Sequence, residues 1–247
     1  MNEITEPINE SLHLTSLRPG LAFGTDAYLL SAYLRPRRGG KAVDLGAGTG
    51  VISLLCASRG QFSSFVCVER QDVYCSLISR NAEENNLSDK ITVLHEDVRE
   101  LSPSSLGFEA DAVFSNPPYL RAGAGFANEA EEKDAARHET AGGIADFCQA
   151  AARLLRFGGY FTVVYRPDRM SELLCAMTAA GLEPKRMTTV YASEHHAPCL
   201  ILAEAKKGAS PGMFVTRPLL LTEGGTESAD THAIYENGAF PAYYFAP

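Results

Sequence analysis

The 247-residue chain lacks several features that would direct its interpretation elsewhere. It has no apolar run near the roughly 20 residues a bilayer-crossing helix needs, which excludes a helical membrane protein. Its opening, MNEITEPINE, has neither the basic stretch nor the apolar stretch of a secretory leader, so the expected location is the cytoplasm. The six cysteines, at 56, 67, 75, 148, 175 and 199, include no Cys-x-x-Cys pair. That excludes the simplest zinc and redox motifs, and in a reducing compartment they read as buried small hydrophobes. His195-His196 have no cysteine or acidic neighbour at ligand spacing, so no metal is expected there. What the chain does have is 45% hydrophobic and 21% charged residues, enough to bury one large core.

Excess positive charge is also missing. The net charge is −8, against the basic surface usual in proteins that live on nucleic acid. The deficit is regional, because residues 42–150 carry 8 basic and 17 acidic side chains whereas 1–41 carry 5 and 4 and 151–247 carry 9 and 9. Any polyanion would have to meet the flanks, where Arg35, Arg37, Arg38 and Lys41 cluster.

Strand and helix patterns alternate. Thr25 or Asp26 can cap an apolar helix that ends before Pro36. Strands follow at 41–45, 65–69, 91–94, 110–115, 160–165, 186–191 and 198–204, with helices near 49–58, 73–84, 144–155 and 169–180. The pattern predicts an α/β fold with a doubly wound, mostly parallel, seven-stranded sheet. The last two strands are so closely joined that they form an antiparallel hairpin at one edge. No linker divides the chain, which reads as one domain: a capping helical region over 1–40, a core over 41–205 and an extension over 206–247. The tail aromatics have no interleaved Lys or Arg and are expected to pack on the sheet edge. Residues 121–140 are too long for a plain connection and read as a functional lid.

The chemistry concentrates at strand ends. Asp44-Leu45-Gly46-Ala47-Gly48-Thr49-Gly50 lies where a strand hands over to a helix, so backbone N–H groups can approach a ligand closely. The spacing is G-x-G-x-G, without the G-x-G-x-x-G that receives a pyrophosphate, which argues against a nicotinamide-dependent oxidoreductase. Asp44 suits a cationic amino group, Glu69 can accept from both hydroxyls of a ribose, and Asp97, followed by Val98, can accept from an adenine amine. A ligand with an amino-acid head, a ribose and an adenine, and no phosphate, is S-adenosylmethionine. After the fourth strand comes Asn116-Pro117-Pro118-Tyr119, whose prolines hold a rigid, extended turn. There the Asn116 side-chain oxygen and the Pro117 carbonyl can each take one N–H of a planar amine and aim its lone pair at a methyl group. Tyr119 can stack on the same plane, a contact worth roughly 1–3 kcal/mol for a base.

Together these residues resemble the class I amino-methyltransferases that carry an NPPY element. Phe23-Gly24-Thr25-Asp26, Arg137-His138-Glu139 and the tail from Pro218 to Tyr235 are similar to the bacterial valine-tRNA (adenine-N6)-methyltransferase family. The resemblance implies a Rossmann-like fold and methylation of the adenine exocyclic amine in tRNA or other structured RNA. It implies that Asp44, Gly46, Gly48 and Glu69 hold the methionine and ribose parts of the cofactor and Asp97 the adenine. Thr25 and Asp26 would close over the cofactor, and Asn116 to Tyr119 would hold the target amine. A second reading is the same chemistry on a protein glutamine amide, as in release-factor methyltransferases. The acids Glu129, Glu131, Glu132 and Asp134 suit it, but only about 42 residues precede the glycine loop, too few for the helical domain of those enzymes. A non-catalytic adenosine-ligand- or RNA-binding module is the outside alternative. A monomer is the expected state.

Overall fold

A computed structural model of the chain describes residues 2–18, 24–117 and 142–245. Its centre is a nine-stranded sheet. In chain order its strands are β3 (Lys41–Leu45), β4 (Ser64–Glu69), β5 (Ile91–His95), β6 (Ala110–Ser115), β7 (Leu155–Tyr165), β8 (Leu182–Tyr191), β9 (Pro198–Lys207), β10 (Phe214–Val215) and β11 (Leu219–Leu220). The spatial order is β10-β8-β9-β7-β6-β3-β4-β5, with β11 also on β8. β3 to β7 run parallel, and β9 is antiparallel to both β7 and β8. The expected hairpin is therefore present. It is not the rim, however, because two short strands of the tail add in parallel to β8, giving nine strands where the pattern predicts seven. Two-residue strands carry too little periodicity to be read from sequence, yet they cover a main-chain edge that would otherwise stand open.

Strand alternation decides what faces what. Ala42, Phe65, Cys67 and Phe114 point to a core shared with α1 (Thr25–Tyr33) and α2 (Val51–Ser58). Val43, Leu45, Val68 and Val113 point to the opposite core, under α5 (Ile144–Leu154) and α6 (Met170–Ala179). With α3 (Asp72–Glu84) and the four-residue α4 (Pro103–Leu106), this makes helices on both faces of the sheet. α1 is buried at Ala27 and from Leu29 to Tyr33, because the tail covers its outer side: Tyr235 meets Tyr28 edge-on and Phe240 meets Tyr33.

Three features differ from expectation. The polar lead-in forms a separate hairpin, β1 (Asn2–Pro7) with β2 (His13–Arg18), which docks on α3. Helix α1 begins one residue after Gly24, which is the cap, with no side-chain cap. Four cysteines are buried, as expected, but Cys175 and Cys199 are exposed. The remaining tail forms a small hairpin, β12 (Thr222–Glu223) with β13 (Thr226–Glu227), and α7 (Ala229–Asn237). Phe240 and Tyr244 are buried, in line with packing of the tail on the core. No helix among the described residues is long and apolar enough to cross a membrane.

Candidate active site

From β3 the chain runs outward through β4 to β5, then returns to place β6 on the other side of β3. Neighbouring connections diverge at such a switch point and leave a crevice at the carboxyl ends of the strands. Asp44, Gly46, Gly48, Glu69 and Asn116 all lie there. Gly46, Gly48 and Gly50 have φ of +69°, +56° and +79°, the left-handed region that favours glycine. A Cβ on Gly46 would meet Phe147 at 3.3 Å, and one on Gly50 would meet Ile78 at 3.1 Å. The loop is bare for both conformational and steric reasons, and it delays α2 to Val51.

Alternation along β3 turns Asp44 to the same side as Ala42, toward α2, where Ser53 Oγ donates to Asp44 Oδ2 at 2.9 Å. Asp44 is 1% exposed, and its Oδ1 is buried with no hydrogen-bond partner. Burial, reinforced by the charge of Glu69, pushes its carboxyl up to about 7 despite the Ser53 bond. Ser53 is a residue the sequence reading missed. A hydroxyl in the first turn of an otherwise apolar helix was the available signal. Glu69 is 7% exposed and accepts from Gly48 N at 3.0 Å and from Gln71 N at 2.9 Å, which ties the end of β4 to the glycine loop.

Asp97 reaches the same edge but is engaged by its own neighbour. Arg99 grips it bidentately, Nε to Oδ1 at 2.9 Å and Nη2 to Oδ2 at 2.6 Å, and adds a backbone bond. The guanidinium holds Asp97 below the usual carboxylate range. Val98 is buried, its carbonyl accepting from Arg153. Ser115 Oγ donates to Leu45 O at 2.7 Å, locking the end of β6 to that of β3. Asn116 then leaves the sheet half-buried and Pro117 buried. Asn116 Nδ2 donates to Asp26 Oδ2 at 2.7 Å, so the first turn of α1 borders the site; Thr25 beside it is exposed. Tyr119, the acids at 129, 131, 132 and 134, and Arg137-His138-Glu139 lie outside the described residues.

The Arg35–Lys41 cluster is not beside this crevice. It precedes β3, at the opposite end of the sheet, and part of its charge is spent inside the protein. Arg35 pairs with Glu204 at 2.8 Å and Arg37 with Asp111 at 3.2 Å. A charge cluster is legible in sequence, whereas the acids it meets are not, since Asp111 and Glu204 come from β6 and β9.

A doubly wound sheet with an antiparallel β9, a G-x-G-x-G loop and an acidic residue ending β4 together define the class I, Rossmann-like methyltransferases. Among solved structures the fold is similar to a protein described as a predicted O-methyltransferase from Agrobacterium tumefaciens (TM-score 0.72, 21% identity, 88% of this chain and 98% of that one). It is also similar to geranyl diphosphate C-methyltransferase from Streptomyces coelicolor (TM-score 0.53, 13% identity, 73% and 78%). The chain belongs to the Methyltransferase small domain family, which it matches over residues 21–179. Its relatives include the tRNA1(Val) (adenine(37)-N6)-methyltransferases of Shewanella sediminis, 26% identical over 76% of this chain and 78% of that protein, and of Porphyromonas gingivalis, 27% identical over 73% and 72%.

Proposed function

We propose that the protein transfers a methyl group from S-adenosylmethionine to the N6 amine of an adenine in tRNA. The observation that carries the reading is Asn116-Pro117 at the end of β6, beside a bare glycine cradle with two buried carboxylates. The activity for which the relatives are named supports the RNA substrate.

The cradle fits the cofactor. Asp44 Oδ1 is a buried acceptor without a donor, the condition an amino group would relieve. Gly46 and Gly48 would leave room for the methionine part, Glu69 would accept from the ribose hydroxyls, and Asp97 with Val98 would face the adenine. Thr25 and Asp26, in the first turn of α1, stand at the border of the site. When bound, the cofactor supplies a methyl group made electrophilic by its sulfonium.

The protein's own part is orientation. Asn116 Oδ1 and the Pro117 carbonyl accept the two N–H bonds of the target amine, turning its lone pair out of conjugation with the ring. Tyr119 stacks on the base, which must be unstacked from its RNA neighbours to reach the pocket. As the methyl group passes from the bound cofactor, whose sulfur would keep the bonding pair, these two oxygens would meet the positive charge on the nitrogen until its proton passes to water. No strong base is needed; alignment and preorganised dipoles carry the rate. Residues 41–205 form the catalytic core, flanked by 1–40 and 206–247, in a cytoplasmic monomer.

The test incubates the protein with methyl-labelled S-adenosylmethionine and either unmodified tRNA or total protein. N6-methyladenosine in tRNA is the expected product; label found only on protein glutamine overturns the reading.

A further inference from the structure

The first turn of α1 and the end of β6 meet through one side-chain pair with two supports. Asp26 Oδ2 accepts from Asn116 Nδ2 at 2.7 Å, and Asp26 Oδ1 accepts from Ala27 N at 2.9 Å. One oxygen is committed to the helix and the other to the amide. The second support is Gly24, whose φ of −129° suits any residue. A Cβ there would lie 2.7 Å from Asp26 Oδ1, so the glycine serves the carboxylate and not the backbone.

We infer that Asp26 is a positioning residue for methyl transfer, acting through Asn116 and kept in place by the missing side chain at Gly24. The inference rests on the proposed N6-methyltransferase reading. The two ends of a side-chain amide are nearly the same size, but one donates and the other accepts. A carboxylate only accepts, so the NH2 end turns to Asp26 and the carbonyl oxygen turns away from it. The flipped amide would press oxygen against a negative oxygen. A target amine needs an acceptor, so only the unflipped amide can hold it. The charge of Asp26 also polarises the amide and strengthens the acceptor as positive charge builds on the attacking nitrogen.

Single-turnover methylation of unmodified tRNA, with the dissociation constant of S-adenosylmethionine measured alongside, tests this. Wild-type protein must first yield N6-methyladenosine; failure there overturns the proposed function itself and precedes any variant. Given that product, Asp26→Ala lowers the transfer rate about 10²-fold, the scale of an ~1 Å misplacement, with cofactor affinity within about twofold. Gly24→Ala reproduces the loss by displacing the carboxylate. In an Asn116→Ser background, Asp26→Ala costs nothing further. Weaker cofactor binding with an unchanged rate at saturation would assign Asp26 to the cofactor and overturn the inference, as would an equal loss in the Asn116→Ser background. If Asp26→Ala melts at a lower temperature, Asp26→Asn replaces it. Its second amide end then faces the Ala27 N–H, donor to donor, and about a tenfold loss is expected; full activity overturns the inference.

Discussion

Asp44 carries the most pH-sensitive chemistry of the site. Its carboxyl is raised to about 7 from an ordinary value near 3.8 because it is buried, with one oxygen left without a donor. A raised value means the folded state keeps a proton that the unfolded chain gives up. This group's contribution to the free protein's stability is therefore full below about pH 4 and is lost as pH rises through 7. Binding of a cationic amino group has the opposite preference and drives the proton off. Cofactor affinity should thus fall as pH drops below about 7, by up to roughly tenfold per unit, and calorimetry near pH 6 in buffers of different ionisation enthalpy should detect proton release. Asp44→Asn should flatten that pH dependence. Asn116→Ala should abolish transfer with cofactor affinity intact, since the proposed reading gives its amide oxygen to the target amine; equal loss of cofactor binding would show the role misassigned. Among these residues Asp44 and Asn116 were legible because they stand at strand ends next to a glycine loop and a proline, and Glu69 because it ends the following strand. Ser53, Arg99 and the Asp26–Asn116 pair were not, because hydrogen bonds across 9 and 90 positions, or a two-residue fold-back, follow from packing geometry and not from local pattern.

At the scale of elements, the N-terminal hairpin shows how a polar segment acquires structure. Asn81 on α3 and Asn85, the residue that caps its C-terminus one turn later, behave as a strand partner for β2. Asn85 Oδ1 accepts from His13 N and its Nδ2 donates to His13 O. Asn81 does the same with Thr15 N at 2.8 Å and Thr15 O at 3.0 Å. The match works because four helical residues rise about 6 Å and two strand residues advance about 6.6 Å. Asn81 Nδ2 also reaches Thr49 O in the glycine loop, coupling hairpin, helix and cradle. Asn81→Ala leaves these buried backbone groups unpaired, and the cost should be about 3 kcal/mol. For a chain of this size that lowers the melting temperature by roughly 6–12 °C. Hydrogen exchange should show the loss of protection first at Thr15. A shift under about 2 °C would mean that water replaces the amide at little cost. The hairpin was missed because its apolar residues alternate too sparsely, and its partner is a pair of side chains 66 and 72 positions away.

Across the whole molecule, Arg186 joins parts that are distant in sequence. It is 1% exposed and pairs with Glu204, itself fully buried, at 3.0 Å across β8 and β9. It also donates to the carbonyls of Tyr33, at the end of α1, and Tyr244, in the tail, and lies over the rings of Tyr33 and Phe245. Glu204 meanwhile holds Arg35. Glu204→Gln removes the carboxylate that pairs with both Arg35 and the buried Arg186, and should cost about 3–5 kcal/mol. The tail should detach early, seen as greater proteolysis near residues 238–245. An Arg186→Met, Glu204→Leu double variant should recover most of the loss, because an apolar pair needs no desolvation of charge.

The order of the seven long strands and the main helices between them, the glycine loop and the position of Asn116-Pro117 were determined by the sequence alone. Each rests on local rules: side-chain period, glycine's access to positive φ, and proline's missing N–H. The tertiary structure alone decided that Arg35–Lys41 lies at the far end of the sheet, that the tail extends the sheet past the hairpin, and that Asp26 faces Asn116. Those outcomes depend on which surfaces remain to be buried once the sheet has formed, and on the acid or carbonyl that happens to stand opposite each charge.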